Sequence, residues 1–360
     1  MGVLGLIGCA DVSLGQDWQV PDPAHTLSFP RDHGSHPNFK IEWWYITGHL
    51  ESKGRRFGFQ ATFFRLGQKP GSEKPDELLG NSQLYLAHMG ISDPVNKIFL
   101  HEERLNREGW NAGASVNDLD VHNANWSLKR TGKSMRLSGS VRADASWDLE
   151  LIPQKGPIIF GEDGVSRKGP EGTASSYYIT YPRIDALGSI RIKDESFEVT
   201  GEAWMDHEIS SSQLDRSQIG WNWTCIQFND GREIMGYVLR TADGENSPYS
   251  RLVWIGESGR LHHLTLQDYQ WEHGGSWTSP ESGATYPISP TITALDPKTG
   301  ENRILRLQPL MPDQEMTGTA AGISYWEGAC DVLDEVSGKV VGRAFLEMTG
   351  YADDIGEKLR

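Results

Sequence analysis

Two stretches constrain the fold of this chain more than any other feature. "KIEWWYITGHLESKGRRFGFQATFFR" runs from Lys40 to Arg65, and "GWNWTCIQFNDGREIMGYVLR" from Gly220 to Arg240. Each is an aromatic-rich run, a dipeptide ending in glycine and a second apolar run, which together spell an antiparallel hairpin. With Lys53-Gly54 as a two-residue turn, Glu42 falls opposite Arg65, Trp44 opposite Phe63, Ile46 opposite Ala61 and Leu50 opposite Phe57. One face is then apolar and ends in a Glu–Arg pair. With Asp230-Gly231 as the second turn, Trp221 falls opposite Arg240 and Trp223 opposite Val238.

The remaining sequence speaks the same language. "MRLSGSV", "WDLEL", "SIRIK", "SFEVTG" and "RILRL" alternate, turn clusters such as "PEGTASS" and "DPKTGEN" separate them, and helical periodicity is nearly absent. Many short strands with such punctuation predict an antiparallel sandwich or barrel. There is also an echo. "SYYI" at Ser176 to Ile179 returns as "SYWE" at Ser324 to Glu327, and "GEAWMD" at Gly201 to Asp206 returns as "GRAFLE" at Gly342 to Glu347. The order of elements is kept and the second copy is shorter, so the chain reads as an internal duplication. The expected organisation is an N-terminal segment over 1–29, barrels over 30–210 and 211–351, and a tail over 352–360.

Composition limits the function. In 360 residues, 37% are hydrophobic and 23% charged, and no apolar run reaches the roughly 20 residues that span a bilayer. A net charge of −15 argues against a nucleic-acid partner, because little would neutralise phosphates. Three cysteines, Cys9, Cys225 and Cys330, make neither a disulfide scaffold nor a thiolate metal site. Leu6-Ile7-Gly8-Cys9 has the form of a bacterial lipobox, although the short apolar segment before it carries no positive charge. Lipidation of Cys9, and with it membrane anchoring through the N-terminus, is one expectation; an ordinary N-terminus is the other.

Trp near the start of the first strand, with Arg at a strand end, resembles the lipocalin pattern, where the indole packs under the guanidinium to seal a barrel. Glu42, Trp44 and Arg65 would form that seal in the first barrel, and Trp221 and Arg240 in the second. A catalytic role for Glu42 is the other reading. Taken together, "HPNFKIEWWYITGHL", "LAHMGISD", "SSYYITYPR", "GEAWMDHEISSSQL", "YWEGACDV" and "GRAFLEMTGY" resemble the AttH/CrtC-type family over roughly residues 30–351. That resemblance implies an all-β fold of two lipocalin-like antiparallel barrels. Its members include carotenoid 1,2-hydratases, kievitone hydratase and secreted or lipoprotein relatives encoded beside ABC transporters. It implies a periplasmic or secreted protein that handles a hydrophobic small molecule, with an ABC transporter as a partner. The alternative it implies is a hydratase that adds water to an alkene.

The candidate site is "WMDHEIS", Trp204 to Ser210. On an extended strand Asp206 and Glu208 share one face and His207 points to the other. Paired carboxylates can raise one pKa and keep a proton for general acid work, and His207 is the further acid–base candidate. Cross-interface salt bridges are the structural alternative. The ligand walls are expected from Tyr45, Tyr178, Trp204, Trp223 and Tyr237, because aromatic faces hold apolar ligands and stabilise developing cations. The chain departs from the hydratases of the resemblance in having Ile209 two residues after His207, and Val238-Leu239 rather than an acid beside Tyr237. No GxSxG, P-loop or dinucleotide fingerprint occurs, and His262-His263 with His273 lacks metal-ligand spacing, so neither cofactor nor metal is expected.

Overall fold

The computed structural model describes residues 18–68, 83–109, 111–318 and 322–356; Cys9 lies outside them. Two antiparallel sheets dominate. The first has 13 strands between Ile41 and Ser212, and the second has 10 strands between Gln218 and Met348. In each sheet the first hairpin pairs through its leading strand with the last strand of the same half. Ile41–Ser52 lies beside Glu195–Ser212, and Gln218–Phe228 beside Lys339–Met348. Each sheet curls into a nearly closed barrel. Across the first seam, Asn123 takes a 2.6 Å hydrogen bond from Asn106 and donates to the Tyr85 carbonyl at 3.0 Å. The molecule is a double lipocalin-like fold in which both halves share one topology.

The first hairpin has the register that its turn dictates, with Glu42 opposite Arg65 and Leu50 opposite Phe57. Lys53 (φ +50°) and Gly54 (φ +84°) are both left-handed, as a two-residue turn of this hand requires. The second hairpin differs from the expectation. Its loop has three residues, Asn229 to Gly231, closed by the Phe228 N–H donating to the Arg232 carbonyl at 2.9 Å. Asp230 accepts from the Arg232 backbone N–H and guanidinium, and Arg232 is clamped to Asp296 at 2.6 Å, so the longer loop is pinned. Register therefore slips by one. Trp221 faces Leu239, Trp223 faces Tyr237, and Arg240 lies opposite Gly220. A one-residue slip reverses every side chain. Trp221 and Arg240 consequently point to opposite faces.

Both barrel interiors are filled by their own side chains. Phe57, Phe63, Trp126 and Trp147 pack the first, and Trp254, Tyr286, Trp326 and Leu346 the second. A ligand inside either barrel would have to displace these side chains. A third apolar cluster lies between the barrels and joins Trp43, Tyr45, Tyr178 and Trp204 of one to Trp223, Tyr237 and Phe345 of the other. This explains why "KIEWWYITGHL" does not alternate. Every residue from Ile41 to Leu50 is buried, one face in the barrel and the other between barrels.

The end of the first barrel is a charged plug. Glu42 takes a 2.9 Å bond from Arg65 Nε, and Arg65 also donates to Gln83 at 2.8 Å and to the His36 and Phe39 carbonyls. The flat partner of Trp44 is the His207 imidazole, 4.8 Å away and 20° from parallel. In the second barrel the slipped register turns Trp221 away, and Arg240 stacks on Tyr351 at 3.8 Å. The expected indole–guanidinium seals are thus replaced by imidazole on indole and by guanidinium on phenol. Tyr351, the last residue of the expected second barrel, packs against that barrel, and Ile355, in the expected tail, packs against the interface.

Candidate functional site

The interface cluster encloses a cavity of about 90 Å³, whose walls include Tyr45, Tyr178, Asp206, Glu208, Trp223 and Tyr237. Six of the sequence-derived candidates therefore meet in one place. Strand alternation puts them there. Asp206 pairs across the strands with Tyr45 and with Thr180, and Glu208 with Trp43 and Tyr178, all projecting away from the first barrel's core. The second barrel supplies Trp221, Trp223, Tyr237, Tyr325, Glu327 and Glu347. Trp43 and Trp221, which hold equivalent places in the two halves, stack 6.4 Å apart.

Asp206 is 2% exposed and accepts from Tyr178 at 2.7 Å, from the Trp204 indole at 2.7 Å and from Thr180. Trp223 donates in turn to the Tyr178 hydroxyl at 2.9 Å. Burial pushes the Asp206 carboxyl up to about 7, the three donors pull it down, and the charge of Glu208 adds to the rise. Glu208 is held otherwise, by Lys168 and Ser176. Lys168 is itself buried, 5.8 Å from the Trp43 ring centroid and 5.6 Å from that of Tyr178. One acid thus retains its proton close to neutrality while its neighbour is compensated by a lysine.

On the opposite wall Glu327 and Glu347 face one another across adjacent strands. Burial and the neighbouring Glu347 carboxyl raise Glu327 well above the usual carboxylate range. Burial, with the charges of Glu208 and Asp206, brings Glu347 up to about 8 against the Trp221 indole. Neither Glu327 oxygen has a hydrogen-bond partner, and the Tyr45 hydroxyl has none either. The Tyr45 and Tyr325 hydroxyls favour its ionised form from nearby without making a full hydrogen bond to it.

His207 faces the other way. Its Nε2 lies 2.9 Å from Glu42, its Nδ1 is unpartnered, and it belongs to the barrel plug rather than to the cavity wall. Burial pulls its pKa down while Glu42 pulls it up. His36, Glu42 and His207 are close enough together to suggest a metal centre. Glu42, however, already receives four contacts, from the His36 backbone and ring, His207 and Arg65, which match its four lone pairs. The acceptor sites of Glu42 are thus filled, and the His207 Nδ1 is the atom of the cluster left without a partner. Trp204 sits behind the wall as the donor to Asp206, Trp221 lines the cavity, and Glu42, Trp44, Arg65 and Arg240 lie at the barrel ends. Cys225 and Cys330 are buried and unpaired.

Sequence reasoning did not single out Lys168, Tyr325, Glu327 or Glu347. A signal existed for the last: the echo of "GEAWMD" in "GRAFLE" aligns Glu347 with Asp206. The strand pairings make Thr180 the counterpart of Glu327, one residue off the "SYYI"/"SYWE" match.

The comparisons agree with this architecture. A family model described as AttH-like matches residues 20–351. A crystal structure assigned to AttH from Nitrosomonas europaea is 33% identical, with a TM-score of 0.81 over 92% of this chain and 98% of that one. Kievitone hydratase from Nectria haematococca is 14% identical, with a TM-score of 0.67 over 94% of this chain and 97% of that one, a likeness of fold. No curated protein matches the sequence. On the extent of the family match and the identity to the Nitrosomonas protein, this chain belongs to the AttH-like family.

Proposed function

We propose that the protein is an acid–base enzyme of the hydratase type, acting on an apolar small molecule bound between its barrels. The observation that carries this is Asp206, a buried carboxyl brought up to about 7 on the wall of an aromatic cavity. A carrier of apolar ligands has no use for a buried proton-bearing carboxyl at its binding surface, since it costs desolvation free energy. A general acid does, because a donor works best when its pKa lies near the working pH.

The residues fit a balanced sequence. The Asp206 proton passes to one alkene carbon as the π electrons form the new C–H bond, leaving a cation on the other carbon. The faces of Tyr45, Tyr178 and Trp223 favour that cation. A water oxygen closes on it, and the surplus proton returns to the Asp206 carboxylate. One carboxyl serves as acid and then as base, and the net change is addition of water. Tyr178, Thr180 and Trp204 hold Asp206 in place throughout.

The solved relative named for a hydratase shares the fold at 14% identity, so this reading stands on the cavity rather than on that name. An extracytoplasmic location, lipidation at Cys9 and an ABC-transporter partner belong to the same proposal and rest on the lipobox-like sequence and the family resemblance. Incubation with acyclic isoprenoids and prenylated phenols, followed by mass spectrometry, should show a gain of one water, and Asp206→Asn should lower that rate by about 10²–10⁴-fold. Equal rates in Asp206→Asn and the parent protein would overturn the assignment.

A further inference from the structure

The hydration sequence leaves Glu327 and Glu347 without a task, although they are acids with no basic partner among the described residues. Glu327 is 1% exposed, and neither oxygen makes a full hydrogen bond, the nearest donors being the Tyr45 and Tyr325 hydroxyls. The Tyr45 hydroxyl beside it is also buried without a partner. Glu347 stands directly opposite Glu327, and like charges so placed repel. Among the described residues no lysine or arginine forms a salt bridge with either acid, and the nearby Lys168 is committed to Glu208. Around them stand the rings of Tyr45, Trp221, Trp223 and Tyr325. Three oxygen atoms without full partners, two acids that an incoming cation would bring to their ionised form, and aromatic faces in one place are what a desolvated cation requires.

We propose that the second-barrel wall of this cavity is a receptor for an organic ammonium group, so that the natural ligand is an apolar molecule carrying a protonated amine. The two Glu327 oxygens and the Tyr45 oxygen accept its N–H protons, and the surrounding rings take up the remaining surface of the head group. A primary or secondary ammonium satisfies these acceptors, whereas a quaternary ammonium reaches only the charge and the rings. The enclosed volume of about 90 Å³ fits a head group and leaves the apolar body to lie along the interface. This goes beyond the hydratase reading, which asks only for Asp206 and a neutral alkene.

The test uses the whole protein and four probes of equal chain length: hexylammonium, hexyltrimethylammonium, hexanol and hexanoate. Binding is followed by calorimetry and by saturation transfer from protein aromatic protons to the ligand. Hexylammonium should bind at least about tenfold more tightly than hexanol, with the quaternary compound between them and hexanoate weakest. Glu327→Gln, alone and with Glu347→Gln, should bring hexylammonium down to the level of hexanol while hexanol binding stays unchanged. A melting curve shows whether each variant is folded, and Glu327→Gln is expected to melt no lower than the parent. Hexanol binding as tightly as hexylammonium, or ammonium affinity unmoved by Glu327→Gln, overturns the proposal. Ammonium binding without hydration of any alkene would leave this receptor standing and remove the hydratase reading. Hydration of neutral alkenes without ammonium binding would do the reverse.

Discussion

The two halves of the molecule repeat one strand order but treat buried charge in opposite ways at two equivalent places, the barrel end and the cavity wall. In the first half every buried acid near the interface has a counterweight: Glu42 has Arg65 and two histidines, Glu208 has Lys168, and Asp206 has three donors. In the second half the guanidinium of Arg240 rests on a phenol with its Nε unpartnered, and among the described residues no cation forms a salt bridge with Glu327 or Glu347. The duplicated frame fixes where side chains stand; substitution within it decides whether a place is a seal or a site. At the barrel ends, Glu42 corresponds to Gly220, which removes the carboxylate that Arg240 would otherwise hold. At the cavity, Thr180 corresponds to Glu327, which turns a hydrogen-bond donor into a second acid.

The sharpest way to break this comparison is to remove the two equivalent arginines. Arg65→Met should cost about 3–5 kcal/mol, because it strands a fully buried carboxylate. Arg240→Met gives up a stacking contact and one bond to the Thr349 carbonyl, with an expected cost of about 1–2 kcal/mol. Urea denaturation of both variants measures the difference. Equal losses would mean that the two ends are sealed in the same way.

Next in size is the dependence on pH. Glu347 is raised from an ordinary value of 4.5 to about 8, so across that window the folded protein keeps a proton that the unfolded chain has released. Its contribution is whole below about pH 4.5 and is lost as pH rises toward 8, at up to ~1.4 kcal/mol per pH unit. Glu42 runs the other way: its carboxyl lies well below the usual range, so its contribution is present at neutral pH and is lost in acid. Glu347→Gln should therefore flatten the decline in stability between about pH 5 and pH 8 by on the order of 1 kcal/mol per unit, and should leave acid unfolding unchanged. Denaturation midpoints across that range decide it. An unchanged slope would place a countercharge on the second-barrel wall.

Packing between the halves gives a smaller effect. A Cβ at Gly58 would lie 2.7 Å from the Ala329 Cβ and 2.6 Å from Ser92 Oγ, whereas one at Gly236 would come no nearer than 3.6 Å to anything. Gly58→Ala should cost about 1–3 kcal/mol by forcing the barrels apart, and Gly236→Ala should be close to neutral. Thermal melts that rank them the other way would contradict the interface as described.

Much of this was legible in the residues, for identifiable reasons. Alternation and glycine turns are local, so the all-β class, the first hairpin's register and the shared face of Asp206 and Glu208 followed from counting by twos. The second hairpin was misread because the turn dipeptide does not reveal whether Asn229 belongs to the strand or to the loop, and a single residue inverts the face. The position of the cavity was partly legible, because "WMDHEIS" joins the two repeats and so points to their interface. Whether either barrel is hollow was not, because that depends on the volumes of residues far apart in sequence, such as Trp126 and Phe57. Glu327 was hidden by an apparent match to Ile179, one residue from its true counterpart.

The two turns offer the finest comparison. Lys53 holds a left-handed conformation at φ +50°, which costs a lysine more than an asparagine, and a two-residue turn of this type favours Asn before Gly. Lys53→Asn should stabilise the protein by a few tenths of a kcal/mol, up to about 1. In the second turn only Gly231 is left-handed, and Asp230 uses its carboxylate on Arg232 at 2.9 Å. Asp230→Asn therefore gains nothing from backbone preference and weakens that clamp, so a small loss is expected. The opposite signs are the point. Matching gains at both positions would show that the second loop is a two-residue turn after all, with Trp221 back under Arg240.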